Sequence, residues 1–381
     1  APDSPTGVSA SAGDAQATVS FTAPTDVGAS TITGYRAQSN PSGIGASGSS
    51  SPITVTGLSN GTAYTFNVWA INAFGYSAPS DASAGVTPSL LERGFIAGGF
   101  SSTNVIQYIE IPTTGNTTDF GDLTVSRYDV AAMSNITRSV FAGGNGPSDV
   151  MDYITNNTLG NAIDFGNLIT ARSNPSQGSI NSTTRGIVSG GYNSGTLQTI
   201  QYITIASTGN ATSFGTLAGS LTGYQSAGLS SSTRGLIAGG DSSGNNNQIA
   251  YVTIASTGNS TDFGDLTQGR DGLAGGSNST RGLFSQGYTG SVFSNVIDYV
   301  TIASTGNATD FGDCSTTSRH SSQMTNSTRS VIRAGASSYP YASVTLEYVT
   351  IASTGNTTDF GDLLSSISRT AGCSSSNGGV Q

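Results

Sequence analysis

The sequence predicts an all-β protein in two parts: an immunoglobulin-like sandwich over residues 1–88 and a six-bladed β-propeller over residues 90–381. Three observations predict it. Residues 1–88 read as about seven short strands separated by turn residues, the pattern of a sandwich. The remainder repeats one pattern six times, and its arginines (Arg93, Arg138, Arg185, Arg234, Arg281, Arg329) and tyrosines (Tyr108, Tyr153, Tyr202, Tyr251, Tyr299, Tyr348) advance by 45 to 49 residues. A period of that size with strand-like content belongs to propeller blades, not to a helical array. Finally, the array starts within one copy and ends on a fragment that fits the missing part of that copy.

The expected sandwich strands include Thr18–Phe21, Thr31–Ala37, Ile53–Val55 and Tyr64–Ala70. In the last, Tyr64, Phe66, Val68 and Ala70 alternate with other residues, which buries one face. The stretch resembles a fibronectin type III domain through Pro5-Thr6-Gly7-Val8, Gly34-Tyr35, Val55-Thr56-Gly57-Leu58, Asn60-Gly61-Thr62, Tyr64 and Ala70 to Gly75. It departs in placing Phe21 where that family commonly has Trp, and it lacks an Arg-Gly-Asp loop. The resemblance implies a spacer or docking module rather than a chemistry.

Each repeat parses into four strands. In the copy opening at Arg270, strand a is expected over 270–277, b over 281–287, c over 296–304 and d over 309–313. Gly-Gly doublets such as Gly98-Gly99 and Gly143-Gly144 end strand b, where a bulge or close backbone approach excludes a side chain. An Arg opening strand b, an apolar strand ending in Gly-Gly, a Tyr in the third strand and an aromatic in the fourth resemble the kelch repeat. The copies depart from it in carrying Phe (Phe120, Phe165, Phe214, Phe263, Phe311, Phe360) where kelch blades usually have Trp. Kelch-like blades serve many functions, so the resemblance implies a fold better than an activity. The array opens at strand b (92–99) and closes on an unpartnered strand a (368–376), which is expected to complete the first blade. Six complete blades follow.

Composition narrows the function classes. Only 9% of the 381 residues are charged, the net charge is −9, and all 13 basic residues are Arg. Nothing basic is clustered to neutralise phosphates, so no nucleic-acid partner is expected. No run of 18 apolar residues predicts membrane insertion. Ala1-Pro2 begins the chain without Met, so it is expected to be processed or part of a longer protein. Cys314 and Cys373 fall at non-equivalent positions and are expected to be free thiols.

No catalytic residue, metal site or cofactor is expected. His320 is the only histidine and reads as an exposed loop-to-strand residue equivalent to Tyr128, Ser173 and Asp271. The carboxylate pairs of Asp-Phe-Gly-Asp (Asp119 with Asp122, Asp262 with Asp265, Asp310 with Asp313, Asp359 with Asp362) recur too often for an active site. They are expected to cap turns and pair with Arg. Ten of the eleven Asn-x-Ser/Thr sequences fall at expected turns, where Asn and Ser/Thr are turn formers in their own right.

Alternating strand direction puts the a–b and c–d turns on one face and the b–c and d–a loops on the other. The first face is nearly constant. On the second, the separation from doublet to tyrosine grows from 9 to 13 residues and the loop sequences are unrelated. Variable loops on a rigid scaffold are where binding usually resides. The expected binding residues are Tyr192, Asp241, Tyr288, Phe293, Tyr339 and Tyr341, whose aromatic rings among small polar residues suit carbohydrate.

The Thr-Arg-Gly and Tyr-Val-Thr-Ile-Ala-Ser-Thr-Gly-Asn copies resemble those in virion proteins of marine tailed phages. That resemblance implies a non-enzymatic structural or adhesive protein on the virion surface, on tail or capsid. Its implied partners are host-surface glycan or other virion proteins, and a homo-oligomer within a larger assembly is a further expectation. A secreted bacterial adhesin or extracellular filament subunit is the alternative. An extracellular carbohydrate-active enzyme ranks lower, because no unique acidic cluster is visible.

Overall fold

The computed structural model describes residues 1–89, 91–100, 103–178, 180–241, 244–338 and 341–376. All regular elements among them are strands. The chain forms two compact units, Ala1–Leu91 and Glu92–Gln381, dividing a little beyond the expected Pro88.

The first unit has seven strands in two sheets. Thr6–Gly13, Gln16–Thr22 and Ile53–Thr56 form one, and Gly45–Gly48, Ile32–Asn40, Thr65–Asn72 and Gly75–Tyr76 the other. The expected alternation holds: Phe66, Val68 and Ala70 are fully buried in a core with Ala17, Val19 and Val55. Phe21 packs on Tyr35 with ring centroids 4.8 Å apart. Tyr64 lies just before its strand, and its Oη accepts the Ser59 N–H at 3.0 Å. Ser77, Ser80 and Ser83 cover the edge of Thr65–Asn72. Their hydroxyls accept the Ala70, Val68 and Phe66 amides at 2.9–3.0 Å, satisfying an edge that would otherwise be open to pairing.

The second unit contains six main sheets among the described residues, each open and of three or four strands. Sheet 5 shows the unit: Ala274–Ser277, Arg281–Tyr288, Phe293–Thr301 and Thr309–Asp313. Strand a is therefore shorter than expected, since residues 270–273 belong to the preceding loop. Sheet 1 has the order Thr118–Asp122, Val105–Glu110, Arg93–Ala97, Ala371–Ser374. The C-terminal strand completes the first sheet, pairing Ala371 with Ala97 and Ser374 with Gly94. Sheet 3 departs from four complete strands: only Arg185–Ser189, Thr199–Thr204 and Thr212–Thr216 pair. Its copy has two more residues than the second between the Arg172 or Arg127 segment and strand b, and it carries Pro175, which has no N–H to donate. The chain there drifts to sheet 4 (Ala227–Ser230, Arg234–Ala238, Gln248–Thr253 and Thr261–Asp265), where the Gln177 N–H donates to the Ser226 carbonyl.

The recurring side chains meet within each sheet. The strand-d Phe sits at a bulge and presses edge-on against the strand-c Tyr, as in Phe120 on Tyr108 at 5.9 Å and 85°. The opening Arg lies over that Tyr ring at 4.4 to 4.7 Å in all six sheets. T-shaped aromatic pairs contribute about 0.5–1.5 kcal/mol, and cation–π pairs about 0.5–2.

The same arginines bind the next sheet. Arg93 donates to the Asn156 carbonyl, Arg138 to Ala206, Arg185 to Ala255, Arg234 to Ala303 and Arg281 to Ala352. Arg329 of sheet 6 (Ser322–Thr325, Arg329–Arg333, Thr345–Thr350 and Thr358–Asp362) donates to the Pro112 carbonyl, next to sheet 1, at 2.7 Å. A second relay runs the same way. The amide of Asp122 donates to Asn161 Oδ1, and the series continues from Asn167 to Asn210, Thr216 to Asn259, Asp265 to Asn307 and Asp313 to Asn356. Asp362 then donates to Asn116 of sheet 1 at 3.0 Å. The glycine of Asp-Phe-Gly-Asp permits this approach: a Cβ on Gly121 would lie 2.4 Å from the Gly160 carbonyl, and one on Gly361 2.4 Å from that of Gly115. Both relays therefore return to their start.

These contacts correct the expectation for the repeated aspartates. They are exposed or half-buried, and among the described residues the ion pairs of the arginines go to Glu110, Asp152, Asp298, Asp271 and Asp129 instead. The Asn residues of the c–d turns use their carbonyl oxygens across sheets, while Asn156 and Asn181 are fully buried within the fold. Cys314 and Cys373 are buried free thiols, and burial pushes the Cys373 thiol up to about 12.

Deleting residues 368–381 is expected to leave the Arg93–Ala97 edge unpaired, to lower the melting midpoint and to promote aggregation. An unchanged midpoint would contradict the pairing of Ala371–Ser374 with that strand.

Candidate binding site

The opposite ends of the strands carry a different pattern. Just before each strand a stands one residue whose positive φ marks a sharp turn: Asp129 (57°), Asn174 (47°), Gln225 (56°), Gly272 (61°), His320 (57°) and Arg369 (59°). Their backbones link the sheets in sequence. Asn174 N–H donates to the Asp129 carbonyl, Gln225 to Asn174, Gly272 to Gln225, His320 to Gly272 and Asp129 to Arg369. At the sixth step, Arg333 Nη1 donates to the His320 carbonyl at 2.9 Å. This inner ring brings together six different residue types at one repeated position.

The ring corrects two expectations. His320 is buried, not exposed, and its equivalents are Asp129, Asn174 and Gly272, one residue beyond those expected. A unique polar constellation does exist. Arg369 Nη1 binds Asp129 Oδ2 at 2.7 Å, Arg319 Nη2 binds Asp271 Oδ1 at 2.9 Å, and Arg319 Nη2 also donates to Gln225 Oε1 at 2.6 Å. Burial raises the Asp129 carboxyl to about 6, against the opposing pull of Arg369, Asn174 and Arg319. Asp271 is likewise raised to about 6 by burial, against Arg319. Burial and the Arg369, Arg319 and Arg333 cations hold His320 neutral, well below its ordinary value.

The residue preceding each ring position pairs with the first residue of the b–c loop. Tyr128 accepts from Asn145, Ser173 exchanges bonds with Tyr192, Tyr224 accepts from Asp241, and Asp271 exchanges bonds with Tyr288. Arg319 pairs with Ala336, and Ser368 accepts from Phe100. Here the expected Tyr192, Asp241 and Tyr288 occupy equivalent places around the inner ring. Tyr192 packs on Tyr224 at 5.7 Å and Tyr288 on Phe293 at 5.3 Å. Arg319 lies 5.3 Å from the Tyr288 ring, and Arg369 5.7 Å from Tyr128 and 6.0 Å from Phe100. Tyr339 lies outside the described residues. Tyr341 lies in the short strand Tyr341–Ala342, and only its backbone is described.

Arg127, Arg172 and Arg270 take another role than Arg319 and Arg369. They stand one or two residues earlier relative to the ring and turn into their own sheets. Arg127 and Arg270 form buried pairs with Asp152 and Asp298 at 2.9 and 2.7 Å. Arg172 has no carboxylate there and donates to the Gly190 and Thr199 carbonyls; burial lowers it to about 10. The loss of either acid would strand a buried cation, at a cost of about 3–5 kcal/mol. Sequence reasoning missed the inner ring because it aligned the copies on Arg, whereas the backbone aligns them on the turn before strand a.

Among known proteins, the fibronectin type III domain family matches residues 3–86. Residues 3–86 form a fibronectin type III domain. Among solved structures, domains A168-A170 from titin are similar at 30% identity over 23% of this chain and 32% of that one, with a TM-score of 0.22. The chain thus spans about a third of that structure. No curated protein matches the chain.

Asp129 gives a pH signature. Its folded-state value near 6 exceeds the ordinary 3.8, so its stabilising contribution is complete below about 3.8 and is lost as pH rises through about 6. The melting midpoint is expected to fall between pH 5 and 7, and Asp129→Asn to flatten that fall. Equal slopes for both proteins in thermal scans would contradict the buried carboxylate.

Proposed function

We propose that the six sheets are the blades of a kelch-like propeller, and that the protein is a non-enzymatic binding protein displayed on a virion or extracellular surface. The fibronectin type III domain serves as its spacer or docking module. The two relays that return from sheet 6 to sheet 1, and the shared first sheet, support a closed ring of blades. The observation that carries the function is the contrast between the two ends of strand b. The Arg end repeats the same Arg–Tyr–carbonyl contacts six times. The doublet end presents different residues in every copy, arranged around the inner ring. Tyr, Phe and Arg gathered there are the types that dominate binding energetics.

The arrangement favours binding over catalysis. Asp129 and Asp271 are each held by an arginine, and among the described residues no hydroxyl or thiol hydrogen-bonds the His320 ring. The phage-like repeat sequence favours host-surface glycan or a neighbouring virion protein as partner.

Tyr192→Ala together with Tyr288→Ala is expected to weaken binding on an array of bacterial surface polysaccharides by about tenfold or more, the scale of losing one hot-spot residue. The far-ultraviolet circular dichroism should be unchanged. Asn278→Ala with Asn326→Ala, at the opposite strand ends, should lower stability slightly and leave binding intact. The reverse outcome would overturn the assignment of the face.

A further inference from the structure

A cavity of about 100 Å³ opens beside the inner ring, lined by Phe100, Phe293, Arg319, His320 and Arg369 among others. Its walls combine two aromatic rings, two guanidinium groups and a buried imidazole. Arg319 and Arg369 keep about a quarter of their side-chain surface accessible. A guanidinium has five N–H donors in a fork that fits a carboxylate. Among the described residues, Arg369 spends one nitrogen on Asp129, and Arg319 one on Asp271 and Gln225. His320 is 4% exposed, and its Nδ1 has no hydrogen-bond partner among the described residues. Buried polar atoms of this kind ordinarily find a partner.

We propose that this cavity is the subsite for the carboxylate of an acidic saccharide, such as a uronic acid residue. The proposal deepens the loop-face reading and rests on it for the saccharide class. The cavity has room for several water molecules, and so for a carboxylate with an attached carbon. The free donors of Arg319 and Arg369 hold the carboxylate oxygens. Phe100 and Phe293 meet the C–H face of the sugar ring, and the neutral His320 imidazole offers a hydrogen bond at the cavity wall. Neutral sugars leave the arginine donors unsatisfied, which produces the selectivity.

Asp129 and Asp271 compete with the ligand for these arginines. Asp129 is faced by Arg369, Arg319, Asn174 and Tyr224, and Asp271 by Arg319 and Asp241; His320 is faced by Arg319, Arg333 and Arg369. Protonation of the two aspartates frees the guanidinium groups, while a uronate remains ionised. Affinity is therefore expected to rise as pH falls from 7.5 to 5.5.

The test is titration of the full chain with D-glucuronate and with D-glucose, followed by ligand-observed NMR. Glucuronate is expected to bind at about millimolar strength or better, with glucose at least about tenfold weaker. Arg369→Gln should abolish the preference and its pH dependence. Phe293→Ala, which leaves both ion pairs in place, should weaken glucuronate without removing the preference. Arg36→Gln in the fibronectin type III domain should change nothing. Absence of glucuronate binding, equal binding of glucose, or a preference that survives Arg369→Gln would each overturn the subsite. Polysaccharide binding that depends on Tyr192 and Tyr288 would stand through that failure. Conversely, an Arg369-dependent uronate preference would stand even if the tyrosine pair proved silent.

Discussion

The second unit depends on one arginine used twice. At the start of strand b it lies over its own sheet's tyrosine and donates to a carbonyl of the next sheet. The tyrosine is fixed from its other side by the strand-d phenylalanine. Orientation within a sheet and attachment between sheets are thus set by the same cation. A lysine at that position would hold a point charge but would not stack a plane or aim a fork, which explains why all six copies carry Arg there. The arrangement propagates from sheet to sheet, and it returns from Arg329 to Pro112 over 217 residues of chain.

Two further constraints make the return possible. The strand-d glycine lets backbone meet backbone where any Cβ would collide, and the turn asparagine caps the amide exposed there. The strand Ala371–Ser374 then supplies the fourth strand of the first sheet, so that the Arg93–Ala97 edge is paired. With one end of every strand fixed in this way, the other end is free to vary. The inner ring uses that freedom: one backbone turn, six side-chain types, one arginine–aspartate pair among them and a second, Arg319–Asp271, beside them.

Much of the architecture was legible in the sequence because it rests on repetition and period. Phe66, Val68 and Ala70 announce a half-buried strand by alternation, and the b-first, a-last phase announces the shared first sheet. The lengths of strand a and the incomplete third sheet were not legible, since they depend on where a backbone turns and on the insertion around Pro175. Tyr192, Asp241 and Tyr288 were found because the loops vary. Asp129 and Gln225 were missed, and His320 was misread as exposed, because their surroundings come from a positive φ and from sheets distant in sequence. The repeated aspartates misled for a related reason: spacing shows that two carboxylates are near each other, not that an arginine reaches them.

The central claim is that the sheets are joined in a closed cycle by the Arg–Tyr–carbonyl relay. It is tested most directly by comparing Arg234→Lys, in the middle of the array, with Arg329→Lys, at its end, in calorimetric unfolding. A closed cycle predicts that both substitutions lower stability by a similar amount, about 1–2 kcal/mol, in a single transition. A midpoint unchanged by Arg329→Lys, with Arg234→Lys destabilising, would mean that the array is open and would contradict the account.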